Sequence, residues 1–229
     1  MRKKAKNWLC VTAILFIFAA LFTILVTKVD VRPIGPQGSS VGFAGINGTV
    51  ANLIGTHKVF YYISSALGYL SLMLAAGFAS VGVMQMVKTK SISGVDKKIV
   101  IMGFIYVLVL GMYVGFDKLA LNYRPVILDE GLEPSYPSSH TMLAVSIIGC
   151  AMVFFNRLRL KQDARDMGNR FGYVIMALAV LTRLMSGVHW FTDIIGGVLI
   201  SLVVVSLYYT LVLIFAPHRH HHHHHEDEY

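Results

Sequence analysis

The sequence predicts an all-α polytopic membrane protein with six transmembrane helices, on three observations. Only 14% of the 229 residues are charged and 55% are hydrophobic, whereas a soluble domain carries about 25% charged residues. The apolar residues gather in runs of roughly 15 to 25, long enough to cross a ~30 Å hydrocarbon core as helices. Basic residues crowd alternate connecting segments, the pattern that orients a multi-pass chain. Together these exclude a soluble domain, a disordered chain and a disulfide-stapled scaffold. Residues 1–217 read as one membrane domain. Residues 218–229 read as a tag and tail, because His220 to His225 are an unbroken run of six histidines.

The first crossing spans about Trp8 to Val26, behind Arg2, Lys3, Lys4 and Lys6. It is too long for a signal-peptide core, and no small-x-small cleavage site follows, so a retained helix is expected. The next thirty or so residues (28–57) are rich in Gly, Pro and Ser and form an outer loop. Its middle, Phe43 to Ile54, suits either an interfacial segment or an ordinary loop. Within it Asn47-Gly48-Thr49 matches a glycosylation acceptor.

Five further crossings are expected at about Val59–Val87, Ile99–Phe116, Thr141–Phe155, Phe171–Val188 and Phe191–Phe215. Ser64 with Gly68, and Ala76 with Ser80, place small residues four apart, which favours close helix packing. The methionines and most tyrosines read as packing residues, and no internal repeat is visible. Cys10 and Cys150 both lie in apolar runs and suggest neither a disulfide nor a thiol metal site.

Charge orients the chain. The N-terminus, the 88–98 loop, the 156–170 loop and the tail hold 4, 4, 5 and 1 Lys or Arg, and the opposite side holds six. Both termini are therefore expected in the cytoplasm. Setting aside the three acids of the tail leaves 20 basic and 9 acidic residues, a net +11. In a membrane protein that excess meets anionic lipid headgroups, so the bilayer rather than nucleic acid is the expected partner. Nothing in the sequence specifies an oligomeric state.

Three motifs then fall on the extracytoplasmic side. Arg183 lies inside the fifth apolar run, with His189 and Asp193 at its junction with the sixth. A charge near the centre of a bilayer costs roughly 2.5–3.5 kcal/mol on insertion scales, so such residues read as functional, or as a snorkelling arginine at a helix end. His189 and Asp193 are four residues apart and would share one face of a continuous helix. The carboxylate can then fix the imidazole tautomer and free the other nitrogen as nucleophile or base. Pro137-Ser138-Ser139-His140 precedes the fourth helix. The serines suit helix caps, and equally an anion site at a helix N-terminus. His140, expected at the first helical position, is placed to protonate a leaving oxygen. Lys118 and Arg124-Pro125 follow the third helix as interfacial anchors or anion ligands. Three cations, helix-start amides and two histidines on one face suit a phosphate ester. No cluster outside the tag has metal-ligand spacing, so no metal and no cofactor are expected.

These motifs resemble those of the type 2 phosphatidic acid phosphatase family. Thr182-Arg183, His189 and Asp193 are similar to its Ser/Thr-Arg-x5-His-x3-Asp signature, Pro137 to His140 to Pro-Ser-Gly-His, and Lys118 to Pro125 to Lys-x6-Arg-Pro. The resemblance implies a metal-independent phosphatase acting on a lipid phosphate such as phosphatidylglycerophosphate, undecaprenyl pyrophosphate or phosphatidic acid, closest to the bacterial phosphatidylglycerophosphatase branch. It implies His189 as a nucleophile forming phosphohistidine, Asp193 as its orienting carboxylate and His140 as general acid. Lys118, Arg124, Ser138, Ser139 and Arg183 would bind phosphate oxygens. Two departures stand out. Ser139 replaces the Gly, and Lys118 is one residue too near Arg124, with Asp117 in the lysine's place. Six helical steps at 100° end about 120° away from the starting face. Either the chain leaves the helix before Arg124, or Lys118 contributes less.

Two readings compete. A lipid transporter would use the same charges as a headgroup relay, but these charges cluster on one side of the midplane and no paired broken helices appear. A haem or metal protein built on His140 and His189 would leave the basic residues unexplained.

Overall fold

The structure, a computed structural model, describes residues 2–217; the histidine tag lies outside the described residues. Seven α-helices follow one another: α1 (Arg2–Val26), α2 (Ala44–Ile54), α3 (Lys58–Thr89), α4 (Lys97–Leu119), α5 (Ser139–Asn156), α6 (Gln162–Met185) and α7 (Phe191–Phe215). Short 3-10 turns stand at Pro36–Gly38 and Ile92–Gly94, and there is no β-strand among the described residues. Five helices, α1, α3, α4, α5 and α7, are long and apolar enough to cross a membrane. α6 falls short by composition: its first turns are polar, and it carries Arg170 and Arg183. It also begins nine residues before the expected Phe171, so much of the basic 156–170 loop is helix.

α5 is the inner helix. Its most apolar stretch is 67% buried within the protein, against 11% for α3. It packs against α3, α4, α6 and α7, and α7 in turn carries α1. Small side chains permit this central position. Ala144, Ser146, Gly149, Cys150 and Ala151 are all buried along α5. A Cβ on Gly149 would come within 2.6 Å of Val205 Cγ2, so the α5–α7 approach requires glycine there. The core runs through Met102, Ile105 and Val109 of α4, Met142 and Phe154 of α5, and Val204 and Val212 of α7. Two polar groups inside it are paired: Ser201 Oγ donates to the Met142 carbonyl at 3.0 Å, and Tyr208 OH to the Lys98 carbonyl at 3.1 Å. The outer faces of α1, α3 and α4 expose large apolar side chains, among them Phe16, Ile17, Met73 and Val107. In water such a surface would drive association; in a bilayer it is the lipid-facing surface.

The 28–57 loop contains a helix, α2, that rests on α7. Asn47 explains the docking. It is fully buried, its Nδ2 donates to the Gly42 carbonyl and to Thr192 Oγ1, both at 2.8 Å, and its Oδ1 accepts from the Thr192 N–H at 3.1 Å. The Asn47-Gly48-Thr49 match to a glycosylation acceptor thus falls on an amide nitrogen that is enclosed and committed. The end of the loop packs on the turn between α6 and α7. The His57 N–H donates to the Ser186 carbonyl at 3.1 Å. Gly187, at φ +73°, lies so near the Gly55 carbonyl that no Cβ could fit.

Candidate active site

Two connections converge above the helix ends. The first is the 120–138 segment. α4 ends at Leu119 because Ala120 adopts left-handed backbone (φ 44°), and the chain then doubles back, with the Arg124 N–H donating to the Glu133 carbonyl at 3.1 Å. Tyr136 anchors its far end: its hydroxyl meets Thr23 Oγ1 of α1 at 2.8 Å, and its ring lies edge-on to Phe116. Gly196 of α7 leaves room for that ring. The second connection is the Ser186–Trp190 turn, bound from outside by the 28–57 loop. Trp190 joins the two through its indole N–H, which donates to the Tyr123 carbonyl at 2.7 Å.

Between them is a cavity of about 380 Å³, lined by Arg124, Glu133, Ser135, Tyr136, Ser139 and His189 among others. His189 is 4% exposed and Asp193 fully buried. The two are not on one continuous helix, as the four-residue spacing suggested. Gly187 ends α6, and Asp193 is the third residue of α7 with Trp190 as its cap. The carboxylate therefore stands 3.7 Å from His189 Nδ1. The hydroxyl of Ser135 fills the gap, 3.0 Å from Nδ1 and hydrogen-bonded to Asp193 Oδ2. Asp193 is held from three more directions. Asn122 Nδ2 donates to Oδ1 at 2.9 Å, the Trp190 N–H to Oδ2 at 2.8 Å, and the Ser138 N–H to the Asp193 carbonyl at 3.0 Å.

The other imidazole nitrogen, Nε2, faces Arg183, whose Nη2 is 3.4 Å away. Arg183 is 1% exposed, donates to Ser64 Oγ at 3.3 Å, and lies over the Tyr61 ring. No carboxylate pairs with it among the described residues, and its Nε has no hydrogen-bond partner. Arg124 is also buried; its Nε pairs with Glu133 at 2.9 Å while Nη1 has no partner. Burial first, then the positive charges of Arg124 and Arg183, hold the His189 imidazole well below its ordinary pKa. Two buried guanidiniums with unused N–H groups beside a neutral imidazole make a site for an anion.

The remaining nominated residues divide. Ser139 lines the cavity. Ser138 is the N-cap of α5: its hydroxyl accepts from the Thr141 N–H at 3.4 Å and donates to Thr141 Oγ1, so its side chain is committed to the helix start. His140 is the second helical residue, not the first, and its Nδ1 is buried without a partner. Lys118 is not brought into the cavity. α4 is still helical there, Lys118 is exposed, and Asp117, one residue earlier, lines the cavity instead. The 100° turn between consecutive helical residues is the reason.

Sequence reasoning did not single out Ser135 or Asn122, the two side chains that hold Asp193. Ser135 stands two residues before Pro137, and Asn122 lies within the Lys118 to Pro125 motif, two residues before Arg124. Among the described residues, no three His, Cys, Asp or Glu side chains gather closely enough to hold a metal ion.

Comparison with curated proteins gives no match. Among solved structures, a transmembrane PAP2-type phosphatidylglycerolphosphate phosphatase from Bacillus subtilis shares the fold, with a TM-score of 0.58 and 18% identity over 91% of this chain and 98% of that one. The family model of the PAP2 superfamily matches residues 63–215, a span that contains all three motifs. The chain thus belongs to the PAP2 superfamily.

Proposed function

We propose that this protein is an integral-membrane lipid phosphatase that works through a phosphohistidine on His189, without a metal. The observation carrying the proposal is His189 Nε2 facing the buried Arg183 beside a cavity that the buried Arg124 also lines, with N–H groups of both guanidiniums unpaired within the protein. Family membership and a fold shared with a lipid phosphatase support it. In this reading α6 crosses the bilayer as a sixth span, both termini are cytoplasmic, and the cavity opens on the extracytoplasmic side. Residues 1–217 act as one domain.

The phosphate group sits between Arg124 and Arg183, with Ser139 and the first amides of α5 completing its ligands. The Nε2 lone pair attacks phosphorus. As the N–P bond forms, the P–O bond to the lipid breaks, its electron pair leaves with the oxygen, and His140 supplies the proton. His140 then takes a proton from water, whose oxygen attacks phosphorus. The N–P bond breaks and its electrons return to Nε2. The arginines stabilise the charge that spreads over the equatorial oxygens in both steps. The products are inorganic phosphate and the dephosphorylated lipid. A lipid diphosphate would leave as its monophosphate by the same steps.

The test is phosphate release from detergent-solubilised protein in EDTA, with phosphatidylglycerophosphate, undecaprenyl pyrophosphate and phosphatidic acid in parallel. Release that survives EDTA supports the reading, and the relative rates rank the substrates. Intact lipids, translocated in reconstituted vesicles, would indicate a transporter instead.

A further inference from the structure

Within the phosphohistidine reading, on which this inference rests, the geometry points to Ser135 as the residue that positions the nucleophile: its hydroxyl couples Asp193 to His189 and fixes the imidazole with Nε2 bare. The carboxylate and the imidazole are 3.7 Å apart at Nδ1, beyond a direct hydrogen bond. Ser135 Oγ is within reach of both.

A serine hydroxyl has one proton to give and lone pairs to receive. An ionised Asp193 can only accept, so the Ser135 proton points to Oδ2. The Oγ lone pair then faces His189, and the bond at 3.0 Å requires the imidazole proton to be on Nδ1. That leaves Nε2 unprotonated on the side of Arg183 and the cavity. As phosphorus bonds to Nε2, the ring becomes cationic, and the Nδ1 proton transmits that charge through Ser135 to Asp193 without either bond breaking.

The surroundings hold Ser135 in this role. Its side chain is buried, and its own N–H donates to the Asn122 carbonyl at 3.1 Å. Asn122 also donates to the other oxygen of the same carboxylate. The 120–138 segment therefore grips Asp193 by both oxygens and sets the spacing into which the Ser135 hydroxyl fits.

The experiment measures kcat and KM on a lipid phosphate for Ser135→Ala, Ser135→Thr, Asp193→Asn and the Ser135→Ala/Asp193→Asn double variant, with His189→Ala as reference. Loss of the Ser135 hydroxyl is expected to lower kcat about 10- to 100-fold, by analogy with the loss of the hydrogen-bond partner that orients a metal-bound histidine, with KM changed less than about threefold. Threonine, which keeps the hydroxyl, should recover most of kcat. The double variant should be little worse than the worse single one, because both act through one chain of hydrogen bonds.

Wild-type kcat in Ser135→Ala, or fully multiplicative losses in the double variant, would overturn the inference. If Ser135→Ala does not yield folded protein, Ser135→Cys, similar in size but a weaker donor, takes its place with the same expectation. Failure of the underlying reading is distinguishable: His189→Ala would then turn over normally whatever Ser135 does.

Discussion

Arg124 and Glu133 face each other across the 120–138 segment, joined by the backbone bond from the Arg124 N–H to the Glu133 carbonyl and by a 2.9 Å ion pair between their side chains. The carboxylate occupies one side of a guanidinium that the proposed phosphate must also use. Glu133 thus competes with the substrate for the cation while keeping it in place.

Removing that competition while retaining the shape is expected to favour anions. Glu133→Gln should bind inorganic phosphate, measured as a competitive inhibitor, about two- to fivefold more tightly. The size follows from the ~0.2–1 kcal/mol typical of partly exposed ion pairs. An unchanged or weakened inhibition constant would show that Glu133 serves only to hold Arg124.

The two remaining cations should behave oppositely. Lys118 is exposed outside the cavity, so Lys118→Ala is expected to change kcat/KM less than about threefold, within the ±0.5 kcal/mol of ordinary surface substitutions. Arg183→Lys should cost about 100-fold or more, as expected for an electrostatic ligand of a transition state. A lysine cannot reproduce the planar fork that reaches Ser64 and His189 while stacking on Tyr61. Steady-state assays on one lipid substrate check both.

Acid should inhibit late. A protonated His189 has no lone pair on Nε2, so kcat/KM falls as pH drops through its pKa. Burial and the neighbouring cations move that pKa down, so the acid limb assigned to this group should lie below the ordinary ~6.5 of histidine. A pH profile with a lipid phosphate, corrected for ionisation of the substrate, locates the limb.

The 28–57 loop should matter although it carries no catalytic group. Asn47→Ala would leave the buried N–H and hydroxyl of Thr192, the neighbour of Asp193, without the hydrogen bonds Asn47 gives them. The expected cost is about 1–3 kcal/mol, visible as a lower unfolding midpoint in detergent. Gly187→Ala should act similarly by forcing the Gly55 backbone away from the turn that carries His189. A midpoint equal to wild type in both would mean that the loop does not support the site.

What the sequence made legible was what local chemistry encodes. Long apolar runs forecast helices, and the three motifs marked the segments that meet at the cavity. What it hid depends on contacts between distant segments. Ser135 and His189 are 54 residues apart, and neither spacing nor residue type marks a serine as a bridge. The four-residue spacing of His189 and Asp193 suggested a shared helical face, but Gly187 and the Trp190 cap break that helix. Asn47 satisfied a surface motif because the motif contains no term for burial. The short spacing from Lys118 to Arg124 already put helical phase in question, and in the structure Asp117 rather than Lys118 lines the cavity.

Rapid-quench labelling of the purified protein, using a lipid phosphate with radioactive phosphorus, tests the nucleophile most directly. A phosphohistidine mechanism predicts a burst of protein-bound label that is acid-labile and alkali-stable, maps to His189, and is absent in His189→Ala. Full turnover by His189→Ala, or label on a different residue, would contradict it.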